Sequence, residues 1–308
     1  FCAISLSQEQ SKNTPLITVP DGKPADESKP VQVYVLLGQS NMLGFGRVSP
    51  VDKPGTLEYM IKKKGKYSYL VDQSGQWTER KDVRYTHVMD KRGAGLTEFD
   101  VFSDMKNQWL KVKGNFGPEL GFGHVMGQFH DEPVLVLKAC IGNRSLGWDL
   151  LPPGSERYQF DGKIHAGYQE SPSSWVENEP KKEVNWYAGR QYDADIHHAK
   201  HVLKNLDKYY PRLNLAKDPA EDNKAQAAMK ALKNEIVAKE DFARRARFTQ
   251  EGFRKFQEEL KGMKQKLSGM EVQLRGYQIA GFVFWQGHKD HGAGFWEALD
   301  FLQKLDDC

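Results

Sequence analysis

The sequence predicts an α/β protein built around a parallel β-sheet. Three short and almost uninterrupted apolar runs, residues 31–37, 133–139 and 279–285, each end in a loop that contains glycine. Such runs are typical of strands buried on both faces, and the helical patterns between them favour a parallel sheet. Because ligands of these sheets bind beyond the carboxyl ends of the strands, we expect the three loops to meet at one site.

Two helices and two long loop regions are predicted between the strands. A helix is predicted over residues 117–129, since Pro118 lies in its first turn, and another over residues 193–210. Residues 50–115 are rich in glycine, lysine and aromatic residues and show weak periodicity, and residues 150–190 are again loop-like. We interpret the first of these regions as an irregular insertion over the sheet edge and expect both to build the pocket.

Residues 222–275 differ in kind from the rest of the chain. They contain no proline, and their apolar residues alternate in steps of three and four, which is typical of a heptad seam. Because the chain must return to the sheet, we predict an antiparallel helical hairpin inserted at 218–275 that turns around 240–252. The seam is expected to be the hairpin's own core, and a coiled coil that binds a partner or self-associates is the alternative. Its second half comprises Phe253, Phe256, Leu260, Met263, Leu267, Met270 and Leu274.

Composition excludes several classes of protein. The 308 residues suggest one large domain or two smaller ones. A balance of 44 Lys and Arg against 41 Asp and Glu, a formal net charge of +3, argues against a nucleic-acid partner. No apolar stretch of about 18 residues predicts a membrane span. Cys2, Cys140 and Cys308 are too few and too widely spaced for a disulfide framework or a zinc site.

The two ends of the chain suggest export and truncation. Residues 1–7 are small and apolar and resemble the tail of a signal peptide, although an arbitrary starting point gives the same pattern. We therefore predict a secreted or periplasmic protein, with a flexible leader up to residue 30 and one domain over residues 31–308. Because the chain stops at Cys308 inside a predicted helix, we expect this domain to be truncated at its C-terminus.

The three strand-end loops carry side chains suited to acyl transfer. Ser40 follows the first strand, where its hydroxyl is placed to act as a nucleophile if a histidine accepts the proton; capping of the next helix is the alternative. Gly142 lets a backbone N–H approach a developing oxyanion, and the Gln286 amide offers another donor. His288 and His291 lie in the third loop, as bases or as polar surface residues.

These motifs together resemble one family. Residues 38–42, Gly-Gln-Ser-Asn-Met, resemble the first motif of the SGNH-hydrolase superfamily, and within it the branch of sialate O-acetylesterases and carbohydrate esterase family six acetylxylan esterases. Residues 117–119 resemble the helix opening of this branch. Residues 138–146, followed by Trp148, resemble its second glycine motif, and residues 284–290 resemble its Gln-Gly motif.

The resemblance covers residues 31–211 and 277–300 and implies a fold and an activity. It implies a three-layer, flavodoxin-like α/β/α domain that hydrolyses esters, with the acetyl group of a carbohydrate as the expected acyl group. No metal ion or organic cofactor is implied.

The resemblance also implies roles for single residues. Ser40 would attack the acyl carbonyl and form an acyl-enzyme that water then cleaves. The backbone N–H groups of Ser40 and Gly142, with the side-chain amide of Gln286, would hold the oxyanion, and Asn143 is a weaker candidate for the amide. Asp290 is expected to shape its loop.

This chain departs from the family at the general base. In the family it is a histidine in an Asp-x-x-His motif near the C-terminus. Residues 195–198 have this spacing but lie inside a predicted helix, so we attribute the match to chance. We expect the base to lie beyond Cys308, with His288 or His291 as a fallback. Lys289 stands where the superfamily often has asparagine, so more of the oxyanion role falls on Gln286.

Two other classes of function stay open at this point. One is a catalytically inactive carbohydrate-binding domain on the same fold, in which exposed aromatic rings stack on sugars. The other is a scaffold whose helical hairpin binds a partner while the esterase-like domain carries it. The aromatic candidates are Trp148, Trp175, Trp186, Trp285 and Trp296.

Overall fold

The computed structural model describes residues 17–91, 96–100, 102–182, 184–211 and 219–286. The strands are β1 (Val31–Gly38), β2 (Glu79–Asp90), β3 (Phe102–Lys111), β4 (Val134–Ala139), β5 (Tyr158–Phe160), β6 (Lys163–His165), β7 (Ser174–Val176) and β8 (Tyr277–Trp285). The helices are α1 (Ser40–Leu43), α2 (Leu57–Lys62), α3 (Pro118–Phe129), α4 (Arg190–Lys204), α5 (Leu206–Tyr209), α6 (Pro219–Arg245) and α7 (Gln250–Arg275).

A five-stranded sheet in the order β3-β2-β4-β1-β8 forms the centre of the molecule. Strands β2, β4, β1 and β8 run parallel to their neighbours, whereas β3 pairs antiparallel with β2 at one edge. The three apolar runs of the sequence are β1, β4 and β8, and β1 lies between the other two. The predicted α/β class with a mostly parallel sheet is therefore confirmed. The prediction that the third run is buried on both faces is wrong, because β8 has no buried residue in the described sheet and Phe282 is 68% exposed.

Helices cover both faces of this sheet, because successive side chains of a strand point to opposite sides. On one face Val136 shares an apolar core with Leu120 of α3. On the other face Leu137 shares a second core with Val202 of α4. Burial on both sides explains why β4 is apolar at five of its six positions; the exception is Lys138.

The prediction for residues 50–115 is wrong. Instead of an irregular insertion, this region supplies α2 and two strands of the central sheet, β2 and β3. Strand β2 contains six charged residues, which hide the apolar pattern expected of a buried strand. Partners from distant parts of the chain satisfy Arg84: its Nε donates to the Tyr209 carbonyl at 3.2 Å, and its guanidinium lies 4.9 Å from the centre of the Trp109 ring.

The regions on either side of α4 differ in detail from the prediction. Residues 150–190 include three strands of three residues each, β5, β6 and β7, in a small antiparallel sheet of their own. The helix predicted over 193–210 begins at Arg190 and is interrupted at Asn205, whose φ of −115° and ψ of 38° are not helical. The predicted helix over 117–129 is confirmed as α3.

The helical hairpin predicted from the heptad seam is present as α6 and α7. Its turn, residues 246–249, falls inside the predicted range of 240–252. From Phe256 to Leu274 the seam residues of α7 are half-buried, and Ile236 of α6 is buried. The seam is thus the hairpin's own core. No helix in the described part of the chain has the length and apolarity needed to cross a membrane.

The described part of the predicted leader is held against the domain. Residues 17–30 form no helix or strand. Thr18 N donates to Gln128 Oε1 at 2.7 Å, and Asp26 N donates to the Asp131 carbonyl at 2.8 Å. The residues predicted to be a signal-peptide remnant lie outside the described residues, so that prediction stays open.

Candidate active site

The serine of the first loop follows a turn that requires glycine. Gly38 ends β1 with φ of 139°, and a Cβ at this position would lie 2.2 Å from the carbonyl oxygen of Trp285. No other residue fits there without displacing the neighbouring strand. The turn places Ser40 at the start of α1, half-buried at the carboxyl end of the sheet.

The Ser40 hydroxyl is held by its neighbour in the chain. Ser40 Oγ donates to Gln39 Oε1 at 2.7 Å, and Gln39 is 1% exposed. The same oxygen accepts a hydrogen bond from Asn143 N at 3.3 Å. One buried amide oxygen therefore joins the serine loop to the loop after β4.

The loop after β4 passes directly beside the serine. A Cβ added at Gly142 would lie 3.6 Å from Ser40 Oγ, so the backbone here is close enough to act on a group bound to that oxygen. Asn143 has φ of 61°, a left-handed conformation that asparagine tolerates better than most residues, and its side chain is exposed.

The loop after β8 joins the same cluster. Gln286 Nε2 donates to the carbonyl oxygen of Arg144 at 2.8 Å. Together with the bonds from Gln39, this contact links all three strand-end loops around Ser40, as the fold class predicts. His288, Asp290, His291 and Trp296 lie outside the described residues, and so does Lys289.

A buried ion pair holds the end of the serine turn in place. The sequence alone assigns no role to this pair. Lys138 Nζ lies 2.5 Å from Glu119 Oε2, and both side chains are almost completely buried. Lys138 Nζ also donates to the Leu43 carbonyl, and Glu119 Oε1 accepts from Gly117 N at 2.9 Å. The pair ties the end of α1 to the start of α3. A lone lysine inside an apolar strand was the available signal.

A second buried chain of polar groups reaches the loop after β4 from α4. Arg144 Nε donates to Gln191 Oε1 at 2.9 Å, and Gln191 Nε2 donates to Asp195 Oδ1 at 2.7 Å. Burial, with the nearby negative charge of Asp90, raises the pKa of Asp195 well above its usual range. Sequence reasoning missed this chain because its members are far apart in sequence.

The Asp-x-x-His spacing at residues 195–198 is part of α4 and does not serve the serine. His198 Nε2 lies 3.3 Å from Asp90 Oδ1 and 3.1 Å from the Phe99 carbonyl, and it makes no hydrogen bond with Ser40. Attribution of this match to chance agrees with that placement. Among the described residues, no histidine hydrogen-bonds to Ser40 Oγ.

His87 lies beside the loop after β4. His87 Nε2 lies 3.4 Å from the carbonyl oxygen of Cys140, two residues before Gly142. Burial, assisted by the positive charge of Lys138, lowers the pKa of His87 to about 4. The imidazole is therefore neutral at neutral pH and sits behind the loop.

The tryptophans proposed to stack on sugars have different surroundings. The two cations Lys181 and Arg157 lie 3.7 Å and 5.7 Å from the centre of the Trp175 ring, and Arg144 lies 4.6 Å from that of Trp186. Trp285, at the end of β8, is 48% exposed. Trp285 thus has the most accessible ring of these three, directly before the loop that carries Gln286.

The described residues contain no group of three or more histidine, cysteine or acidic side chains that could hold a metal ion.

Comparison of the chain with models of protein families, with curated proteins and with solved structures gives no match. The function must therefore be argued from the geometry around Ser40.

Proposed function

We propose that this protein is a serine esterase that removes O-acetyl groups from carbohydrate through an acyl-enzyme. The observation that carries the proposal is the convergence of three strand-end loops on Ser40, joined through Gln39 and Gln286. A hydroxyl in this position, with backbone N–H groups beside it, is what acyl transfer requires.

In this proposal Ser40 Oγ attacks the ester carbonyl and loses its proton to a base. Gln39 Oε1 holds the hydroxyl in place before the attack. The N–H groups of Ser40 and Gly142 stabilise the oxyanion. The Gln286 side-chain amide, held beside the loop after β4 by its bond to the Arg144 carbonyl, is the proposed third donor. Expulsion of the sugar alcohol leaves an acetyl-serine, which water hydrolyses to acetate.

The base is proposed from outside the described residues. No described histidine hydrogen-bonds to Ser40, and the neutral, buried imidazole of His87 lies behind the loop. His288 and His291 follow Gln286 on the same loop and are candidates within this chain.

The carbohydrate substrate and the secreted or periplasmic location rest on sequence alone. The motifs at 38–42, 138–146 and 284–290 resemble those of the sialate O-acetylesterase branch, and residues 1–7 resemble the end of a signal peptide. A partly exposed Trp285 ring next to the third loop is consistent with a sugar lying across the site.

The first test is hydrolysis of p-nitrophenyl acetate by the wild type and by Ser40→Ala. The variant is expected to lose on the order of 10⁶-fold in kcat, since it lacks the nucleophile. Ser268→Ala, an exposed serine on α7, serves as the matched control and should keep full activity. Hydrolysis by Ser40→Ala at the rate of an active wild type would overturn the proposal. Loss of activity in His288→Ala or His291→Ala, but not in both, would assign the base.

A second candidate is a carbohydrate-binding domain without catalysis, favoured by the absence of a histidine bound to Ser40 among the described residues. It predicts that acetylated xylan or acetylated sialosides bind the wild type and Ser40→Ala equally while no acetate is released. Calorimetric titration together with an acetate assay separates it from the esterase.

A further inference from the structure

The turn of the helical hairpin has a composition unlike the rest of the hairpin. We call residues 242–256 the hairpin tip. It contains four of the chain's sixteen phenylalanines, five basic residues and one acidic residue, Glu251, a formal net charge of +4. The proposed esterase activity uses none of these residues.

The four phenylalanines form one cluster, part of which faces outwards. Phe248 is at its centre, with its ring 5.2 Å from that of Phe256, 5.8 Å from that of Phe253 and 6.0 Å from that of Phe242. Phe242 is 60% exposed and Phe253 is 44% exposed. Two apolar rings are thus presented to solvent at the end of an arm that, at 27 residues in α6, is about 40 Å long.

The basic residues around these rings are exposed and only partly neutralised. Arg244 pairs with Asp241, and Lys255 pairs with Glu251 one turn away on α7. Arg245, Arg247 and Arg254 form no ion pair with any described residue. The exposed rings therefore lie among exposed arginines, three of which have no acidic partner among the described residues.

We propose that the hairpin tip binds the surface of an anionic phospholipid bilayer. Exposed phenylalanine rings enter the boundary between headgroups and acyl chains, and arginines pair with the headgroup phosphates. The tip is a convex helical turn, whereas single-stranded nucleic acids are bound in a groove that follows their backbone. A second copy of the tip is disfavoured because two like charges of +4 repel each other.

The test is flotation of the full chain with vesicles of phosphatidylcholine alone and with vesicles of equal parts phosphatidylcholine and phosphatidylglycerol. Binding is expected for the anionic vesicles only and should weaken as salt increases. The triple variant Arg245→Gln, Arg247→Gln, Arg254→Gln is expected to bind on the order of 100-fold more weakly. The matched control changes three exposed lysines of α6, Lys224→Gln, Lys230→Gln and Lys233→Gln, and should bind like the wild type.

A second variant separates the apolar contribution from the charge. Phe242→Ser with Phe253→Ser keeps the net charge and should lower binding by at least about tenfold, because two apolar rings are no longer buried in the bilayer. Val237→Ser, exposed on the same helix below the tip, is its control. The proposal would be overturned if the arginine variant of the tip and the lysine variant of α6 lost vesicle binding equally. Retention of the protein on heparin or DNA without binding to vesicles would also overturn it. None of these outcomes depends on esterase activity.

Discussion

The loop that carries Gly142 follows a strand that is completely buried, whereas the two helices of the hairpin expose most of their side chains. All six residues of β4 are buried, and none of the 26 residues of α7 is. Around the serine, charges are paired inside the protein, as in Glu119 and Lys138. In the hairpin they are paired on the surface, as in Lys239 and Glu259. Stability should therefore be concentrated in the sheet.

Removal of one partner from each type of ion pair should show this difference most strongly. Glu119→Ala leaves the Lys138 ammonium buried without a counter-charge and should lower the free energy of unfolding by about 3–5 kcal/mol. Glu259→Ala breaks a pair exposed to solvent and should cost less than about 1 kcal/mol. Urea denaturation measures both values. Similar losses in the two variants would contradict the contrast between sheet and hairpin.

Acid should weaken the sheet core through His124, while the hairpin helices, which contain no histidine, lack this sensitivity. Burial, with the nearby charge of Arg80, lowers the pKa of His124 to about 3. When the pH is below 6.5, the ordinary pKa of histidine, His124 is protonated in the unfolded chain. In the native state it takes up the proton only when the pH reaches its lowered pKa. Stability is therefore lost as pH falls through this window, by about 2 kcal/mol at about pH 5.

The raised pKa of Asp195 has the opposite effect on stability, which that group lowers as pH rises. Comparison of the wild type with His124→Leu cancels the contribution of Asp195, which is present in both, and isolates that of His124. The stability of the wild type relative to the variant should fall as pH decreases from neutral towards about pH 5. Tryptophan fluorescence reports this unfolding from the core alone, since residues 219–275 contain no tryptophan. A difference that does not change with pH would show that His124 is protonated in the native state or accessible to water.

The smallest of these effects concerns the chain from α4 to the loop after β4. Gln191→Met removes the acceptor of Arg144 Nε and should lower kcat for p-nitrophenyl acetate about tenfold, as the loop beside Ser40 loses its support. Gln191→Glu still accepts from Arg144 and should restore most of the rate. Gln265→Met, on exposed α7, is the control. Unchanged kcat in Gln191→Met would assign Gln191 to the stability of the fold alone.

The sequence predicts the elements whose pattern is local. Strands β1, β4 and β8 are apolar runs, and the hairpin follows from a heptad seam that packs on itself. Strand β2 escapes prediction because it contains charged residues such as Arg84, which is satisfied by Tyr209 and Trp109 from other parts of the chain. A charged strand of this kind has no periodic pattern that identifies it.

The same distinction applies to the candidate site. Ser40, Gly142 and Gln286 could be placed together because parallel strands bring their carboxyl ends to one edge. The partners that hold them could not, because Gln191 meets Arg144 only through the tertiary fold. Gln39 stands beside Ser40 in the chain, yet its contact with Asn143 depends on the pairing of β1 with β4.

The antiparallel return of the hairpin also bears on how β8 reaches β1 during folding. Strand β8 lies beside β1, yet residues 219–275 separate it from the strands made earlier. An unstructured connection of that length would add to the entropy of ring closure, whereas a hairpin that folds from neighbouring residues brings its two ends together first. Strand β8 then docks beside β1 as though from a short tether, and this docking brings the third loop to Ser40.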